Sequence, residues 1–244
     1  MATEQQRDAE VPYEPHVGET RQYWRDIILG VNDGLVSMVL LIIGVVGAGL
    51  SREDVLVTGV AGALAGGVSM AAGEYLATKS QDEVLTSELE LEKVHLEHHR
   101  DMELDQLREM FTDMGLHDDD LDVVVAAFDR SDTAMLNAMK ALEFGAPDSE
   151  RRSPYRAMAF SGLLFFLGAM PSVVPFMFVE TPRQGLWWTV IVGGVALFAV
   201  GAGKTRVTRT NPVVSGLENL VIAGVGGVLA YFVGVALGNG GAVV

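Results

Sequence analysis

The sequence has no cysteine among its 244 residues, which removes disulfide frameworks and thiolate metal sites at once and leaves the redox compartment open. Basic residues are scarce as well: 17 Lys and Arg stand against 32 Asp and Glu, a formal net charge of −15. Binding phosphate needs clustered Lys and Arg, so a nucleic-acid partner is excluded. The opening stretch MATEQQRDAEVPYEPHVGE lacks a basic region and a small-residue cleavage site, and no removable signal peptide is expected there.

What the chain does have is apolar material, 49% of its residues with a mean hydropathy of +0.29, so apolar and acidic segments must be kept apart. Residues 81–150 hold 20 Asp and Glu against 5 Lys and Arg, which accounts for the whole surplus of −15. Around this block lie five apolar runs, at residues 27–50, 55–76, 158–179, 186–203 and 217–237. At ~1.5 Å per residue such runs can cross a ~30 Å hydrocarbon layer. Placing the N-terminus and the acidic block on one side puts fifteen of the 17 basic residues there, and that side is the cytoplasm by the positive-inside rule. The expected fold is all-α: a polytopic membrane protein with five transmembrane helices and a three-helix cytoplasmic metal-binding domain. Its parts are a polar tail (1–25), spans one and two (26–80), the acidic domain (81–150) and spans three to five (151–240).

Asp33 and Glu74 lie inside apolar runs. A carboxylate in hydrocarbon costs a few kcal/mol or more, so both are expected to face a polar path or a partner. Met70, one turn before Glu74, shares its helix face and adds a thioether suited to a borderline metal such as Fe²⁺. Gly59, Gly62, Gly66 and Gly67 form a small-residue face through which two copies could meet and double these ligands about one axis. Pro171 and Pro175 interrupt the third run, and the carbonyls they free need protein or water beside them.

Within the acidic block, residues 80–114 contain no Gly or Pro and read as one helix up to the DMG at 113–115. Residues 121–128 and 131–144 form two more, the last capped by Ser131 or Asp132 and stopped by Gly145. On the first of these Glu92, His95, His99, Glu103 and Gln106 fall in one narrow stripe beside the apolar face. Met135, Met139 and Glu143 share a face of the third, with core packing expected for Met135. Carboxylate, imidazole and thioether together suit Fe²⁺, Mn²⁺ or Co²⁺ better than the all-oxygen shells of Ca²⁺ and Mg²⁺.

These segments resemble the vacuolar iron transporter family over about residues 22–238. The carriers are RDIILGVNDGLVSMVLLIIGV, GGVSMAAGEYLATKSQ, the acidic insert ending AMKALEFG, and MPSVVPF. The resemblance implies proton-linked export of Fe²⁺ and related ions by a homodimer in the lipid bilayer. It also implies a pathway through Asp33, Met70 and Glu74, and cytoplasmic ligands at Glu92, His95, Glu103, Gln106, Met139 and Glu143. His95 and Gln106 stand where the family has glutamate, and Lys140 where a second methionine is expected, so the site carries less negative charge; His99 is a candidate replacement ligand. The metal is substrate, with no permanently bound cofactor expected. The membrane is that of a prokaryotic cell, or a vacuolar-type membrane in a eukaryote. E92-K-V-H95 also fits one half of a ferritin-like di-iron oxidase, which needs a second such motif that is not found. A further alternative is a structural membrane protein whose acidic block serves only as a high-salt surface.

Overall fold

The computed structural model describes residues 21–145 and 152–239. Most of the polar tail expected over residues 1–25, the end of the acidic block at 146–150 and Arg151 lie outside the described residues. The described residues are helical throughout, with nine α-helices among them. They are α1 (Arg21–Gly47), α2 (Arg52–His98), α3 (Arg100–Asp113), α4 (Asp118–Asp129), α5 (Asp132–Leu142), α6 (Pro154–Val173), α7 (Pro182–Gly203), α8 (Thr205–Thr208) and α9 (Pro212–Asn239). Five of these, α1, α2, α6, α7 and α9, are long and apolar enough to cross a membrane, and the chain is an integral membrane protein.

Local chemistry sets where the long helices start. Proline opens α6, α7 and α9, where its missing N–H is one the helix leaves unpaired anyway. Ser51 Oγ accepts from the amide of Asp54 at 3.2 Å, Thr181 Oγ1 from Gln184 at 3.3 Å, and Asn211 Oδ1 from Val213 at 2.9 Å. The third run bends where its prolines require it: α6 passes through Pro171 to Val173, and Val174–Met177 tightens into a 3-10 turn. Thr189 Oγ1 of α7 donates to the Ser172 carbonyl at 2.9 Å, so this irregular backbone is backed by protein.

In the membrane bundle α6 packs on α1 and α2, while α9 packs on α1 and α7. A very close approach is at Gly34, where an added Cβ would stand 2.1 Å from the carbonyl oxygen of Phe165. Only glycine lets the two backbones meet there, and this fixes the rotation of α1. Asn32 then faces Asn219, whose Nδ2 donates to Asn32 Oδ1 at 3.0 Å and to the Leu197 carbonyl at 3.2 Å. Asp33, between them, is left exposed on the surface of the single chain.

The small-residue face of α2 differs from expectation. Gly59 packs on Ile42 and Val173, Gly62 on Leu41 and Met38, Gly66 on Phe165 and Gly67 on Gly162. These glycines serve packing within the chain, because α1 and α6 reach them first. A second small-residue row, Ala61, Ala65, Ser69, Gly73 and Ala77, lies exposed on the other side of the helix.

The acidic block departs from expectation once. α2 runs unbroken from the membrane segment into it, but the helix expected over residues 80–114 stops at His98. His99 takes φ −134° and ψ 32°, and α3 restarts at Arg100. No Gly or Pro marks the break; tertiary packing overrides helix propensity. Leu96, Leu107, Phe111, Leu121, Val125, Met135 and Met139 close one core only if α3 turns to join α4 and α5. Arg100 holds the corner, its Nε 2.7 Å from Asp129 Oδ1 and its Nη1 2.6 Å from Asp132 Oδ1. The other ends match: Gly115 at φ 96° follows α3, Ser131 caps α5, and Gly145 at φ 59° follows it.

Candidate metal centre

The break at His99 builds the site. Glu92 and His95 come from the last turns of α2, and Glu103 and Gln106 from the start of α3. Together with Glu143, just past α5, they line one cavity of about 260 Å³. One ligand atom from each of Glu92, His95 and Glu103 lies within 4.8 Å of the others. His95 Nδ1 is 3.1 Å from Glu103 Oε1. What the sequence pattern draws as a stripe on one helix is therefore a corner between two.

Burial gives this corner its chemistry. Glu92 is 4% exposed and Glu103 5%, yet Glu92 Oε1 and Glu103 Oε2 are buried with no hydrogen-bond partner. Orphaned carboxylate oxygens are costly, and a cation would satisfy them. Glu92 lies sixteen residues beyond the end of the apolar run at Leu76, in the part of α2 that projects from the membrane segment. Burial first, then the charges of Glu103 and Glu143, push its carboxyl up from the usual 4.5 to about 7, against the opposing pull of His95.

Two further residues named by the sequence pattern sit elsewhere. Met139 is wholly buried in the core beside Met135 and does not line the cavity. His99 is exposed at the helix break, its ring edge-on to that of His95 with centroids 6.2 Å apart. Glu88 and Met102 do line the cavity, though neither is singled out by the sequence pattern. Glu88 could have been found, one turn before Glu92; Met102 could not, because its place depends on the unmarked break.

In the membrane segments Asp33 is exposed, Met70 half-buried and Glu74 only 13% exposed. Glu74 has a partner the sequence does not announce. Arg152, at the entry to α6, bonds Asp26 of α1 and places Nη1 3.4 Å from Glu74 Oε1 of α2. One guanidinium thus ties three helices at the end of the bundle nearest the acidic block.

The family model described as the VIT family matches residues 24–235. Vacuolar iron transporter 1 of Eucalyptus grandis is 32% identical over 233 residues, covering 94% of this chain and 92% of the relative. Vacuolar iron transporter 2 of Oryza sativa subsp. japonica is 31% identical over 210 residues, with 85% and 84% covered. Vacuolar iron transporter 1 of Tulipa gesneriana is 30% identical over 207 residues, again with 85% and 84% covered.

Proposed function

Since the chain belongs to the VIT family, we propose that it carries Fe²⁺, with Mn²⁺ and Co²⁺ as chemically similar substrates, out of the cytoplasm in exchange for protons. The observation that carries this reading is the pair of buried, unpartnered carboxylate oxygens on Glu92 and Glu103 beside His95. Two carboxylates and an imidazole favour a borderline divalent ion over Ca²⁺ or Mg²⁺. Gln106 and Glu143 at the cavity wall supply more oxygen donors.

The acidic block gathers the ion on the cytoplasmic side, and Asp33, Met70 and Glu74 pass it across the membrane. Asp33 supports a pathway shared between two copies: it is exposed on the single chain inside an apolar span, where lipid is a poor neighbour for a carboxylate. The exposed row from Ala61 to Ala77 supports a close contact of α2 with its counterpart. A carboxylate that has released its metal takes a proton more readily where water is scarce, which couples the two fluxes in opposite directions.

Purified protein in liposomes, loaded with an Fe²⁺-sensitive dye, tests the proposal. The wild type accumulates Fe²⁺, and a Glu92→Gln/Glu103→Gln variant needs a higher Fe²⁺ concentration for the same rate. Absence of Fe²⁺ movement in the wild type would remove the reading.

A further inference from the structure

The projecting part of α2 has two apolar faces, and the fold uses only one. Leu85, Leu89, Glu92 and Leu96 turn toward α3 and α5 and are buried or half-buried. Beside them runs a second stripe whose side chains stay exposed among the described residues. Val84 is 61% exposed, Leu91 48% and Val94 48%.

Their spacing is a heptad. Ala77, Val84, Leu91 and His98 recur every seven residues, and Ser80, Ser87 and Val94 repeat three residues after the first three of them. All seven are exposed. Apolar and small residues at this spacing are the seam of a left-handed coiled coil. Acidic residues border the stripe, with Glu83, Glu90 and Glu97 also seven apart on its outer edge.

We propose that this stretch of α2 pairs in parallel with the same stretch of a second copy, as a short coiled coil that closes the metal cavity at its seam. The proposal rests on the reading that two copies meet in the membrane. Three observations select a second copy as the occupant. First, α2 is one helix of 47 residues, ~70 Å long, of which a bilayer needs ~30 Å, so a membrane dimer delivers two projecting rods side by side. Second, the membrane fixes both rods in the same direction and at the same height, so each residue of the stripe meets its own counterpart and the register is set without an offset. Third, the stripe continues the exposed row that ends at Ala77, one surface running from lipid into water.

The cavity is the functional link. Leu91 belongs to the stripe and also lines the cavity, with Glu88 beside it. Pairing therefore shuts the side of the cavity that the single chain leaves open, and the orphaned oxygens of Glu92 and Glu103 lie behind that wall. In a parallel pair the outer-edge residue of one helix reaches the next heptad of the other. This sets Glu90 of the partner subunit beside His95, one more oxygen donor for the divalent cation.

The absence of cysteine makes the test clean. Single-cysteine variants of the full chain, Val84→Cys and Leu91→Cys at the seam, Lys93→Cys on the outward face and Ala65→Cys in the membrane row, are treated in native membranes with a short bis-maleimide. These positions are exposed on the single chain, so the substitutions leave its core intact, and a single symmetric gel-filtration peak verifies each. The seam variants are expected to form cross-linked dimers at several times the yield of Lys93→Cys. Cross-linking of Ala65→Cys without the seam variants overturns the coiled coil and leaves the membrane dimer standing. Failure of Ala65→Cys and both seam variants overturns the two together.

Discussion

Across the break between α2 and α3, His95 Nδ1 lies 3.1 Å from Glu103 Oε1. The pair joins two helices that the sequence writes as one, and it belongs to the cluster that includes Glu92. Removing the imidazole should alter selectivity more than capacity. His95→Ala is expected to weaken Co²⁺ and Fe²⁺ by about tenfold or more and Mn²⁺ by less, since the remaining oxygen donors suit the harder ion. Competition against a fluorescent chelator at fixed pH reads the ratio; equal losses for all three ions would place His95 outside the coordination.

Proton competition should be visible at Glu92. Its carboxyl is pushed up to about 7, and binding a metal requires the charged form, so affinity should climb about tenfold per pH unit below 7 and level off above. The metal-free protein follows the opposite sign. Its folded state holds a proton that the unfolded chain releases from about pH 4.5 upward, so stability falls as pH rises from about 4.5 to 7. Thermal melts in chelator at pH 5 and pH 7.5 should show this slope, and Glu92→Gln should flatten it.

Arg152 should behave as a structural tie of the bundle. Asp26 is 2% exposed and Glu74 13%, so Arg152→Gln leaves two buried carboxylates without their counter-ion. A loss on the order of 3 kcal/mol is expected. Asp26→Asn in the same chain should restore much of it, which a double-mutant cycle of melting temperatures would measure.

Gly34 and Gly224 make a matched pair. An added Cβ at Gly34 collides with the Phe165 carbonyl at 2.1 Å, whereas one at Gly224 meets nothing within 4 Å. Gly34→Ala should destabilise by about 1–3 kcal/mol and turn Asp33 from its position. Gly224→Ala, in the middle of α9, should be neutral or stabilise by up to about 1 kcal/mol. Detergent unfolding curves for the two variants check this.

The five spans were legible because about twenty apolar residues in a row have few other uses, and the start of α5 because Ser131 carries its meaning locally. The break at His99 was not. The residues there favour helix, and the cause sits in the core formed with α4 and α5 and in Asp129 and Asp132, some thirty positions away. The spacing of Gly59, Gly62, Gly66 and Gly67 announced a close contact and suggested a second copy as the partner, whereas α1 and α6 of the same chain pack there. Likewise Arg152 reads as a flanking charge until the fold sets it between Asp26 and Glu74. Met139 shows the same limit from the other side: its spacing from Glu143 is right for a shared face, but the core claims it.

The central claim is that a divalent ion crosses by way of Asp33 in exchange for protons. Simultaneous recording of Fe²⁺ entry and lumenal pH in liposomes containing the full chain tests it most directly. The account predicts Fe²⁺ accumulation matched by proton movement in the opposite direction, both lost in Asp33→Asn while Fe²⁺ binding at Glu92 and Glu103 persists. Fe²⁺ accumulation that proceeds unchanged in Asp33→Asn, or with no accompanying pH change, would contradict it.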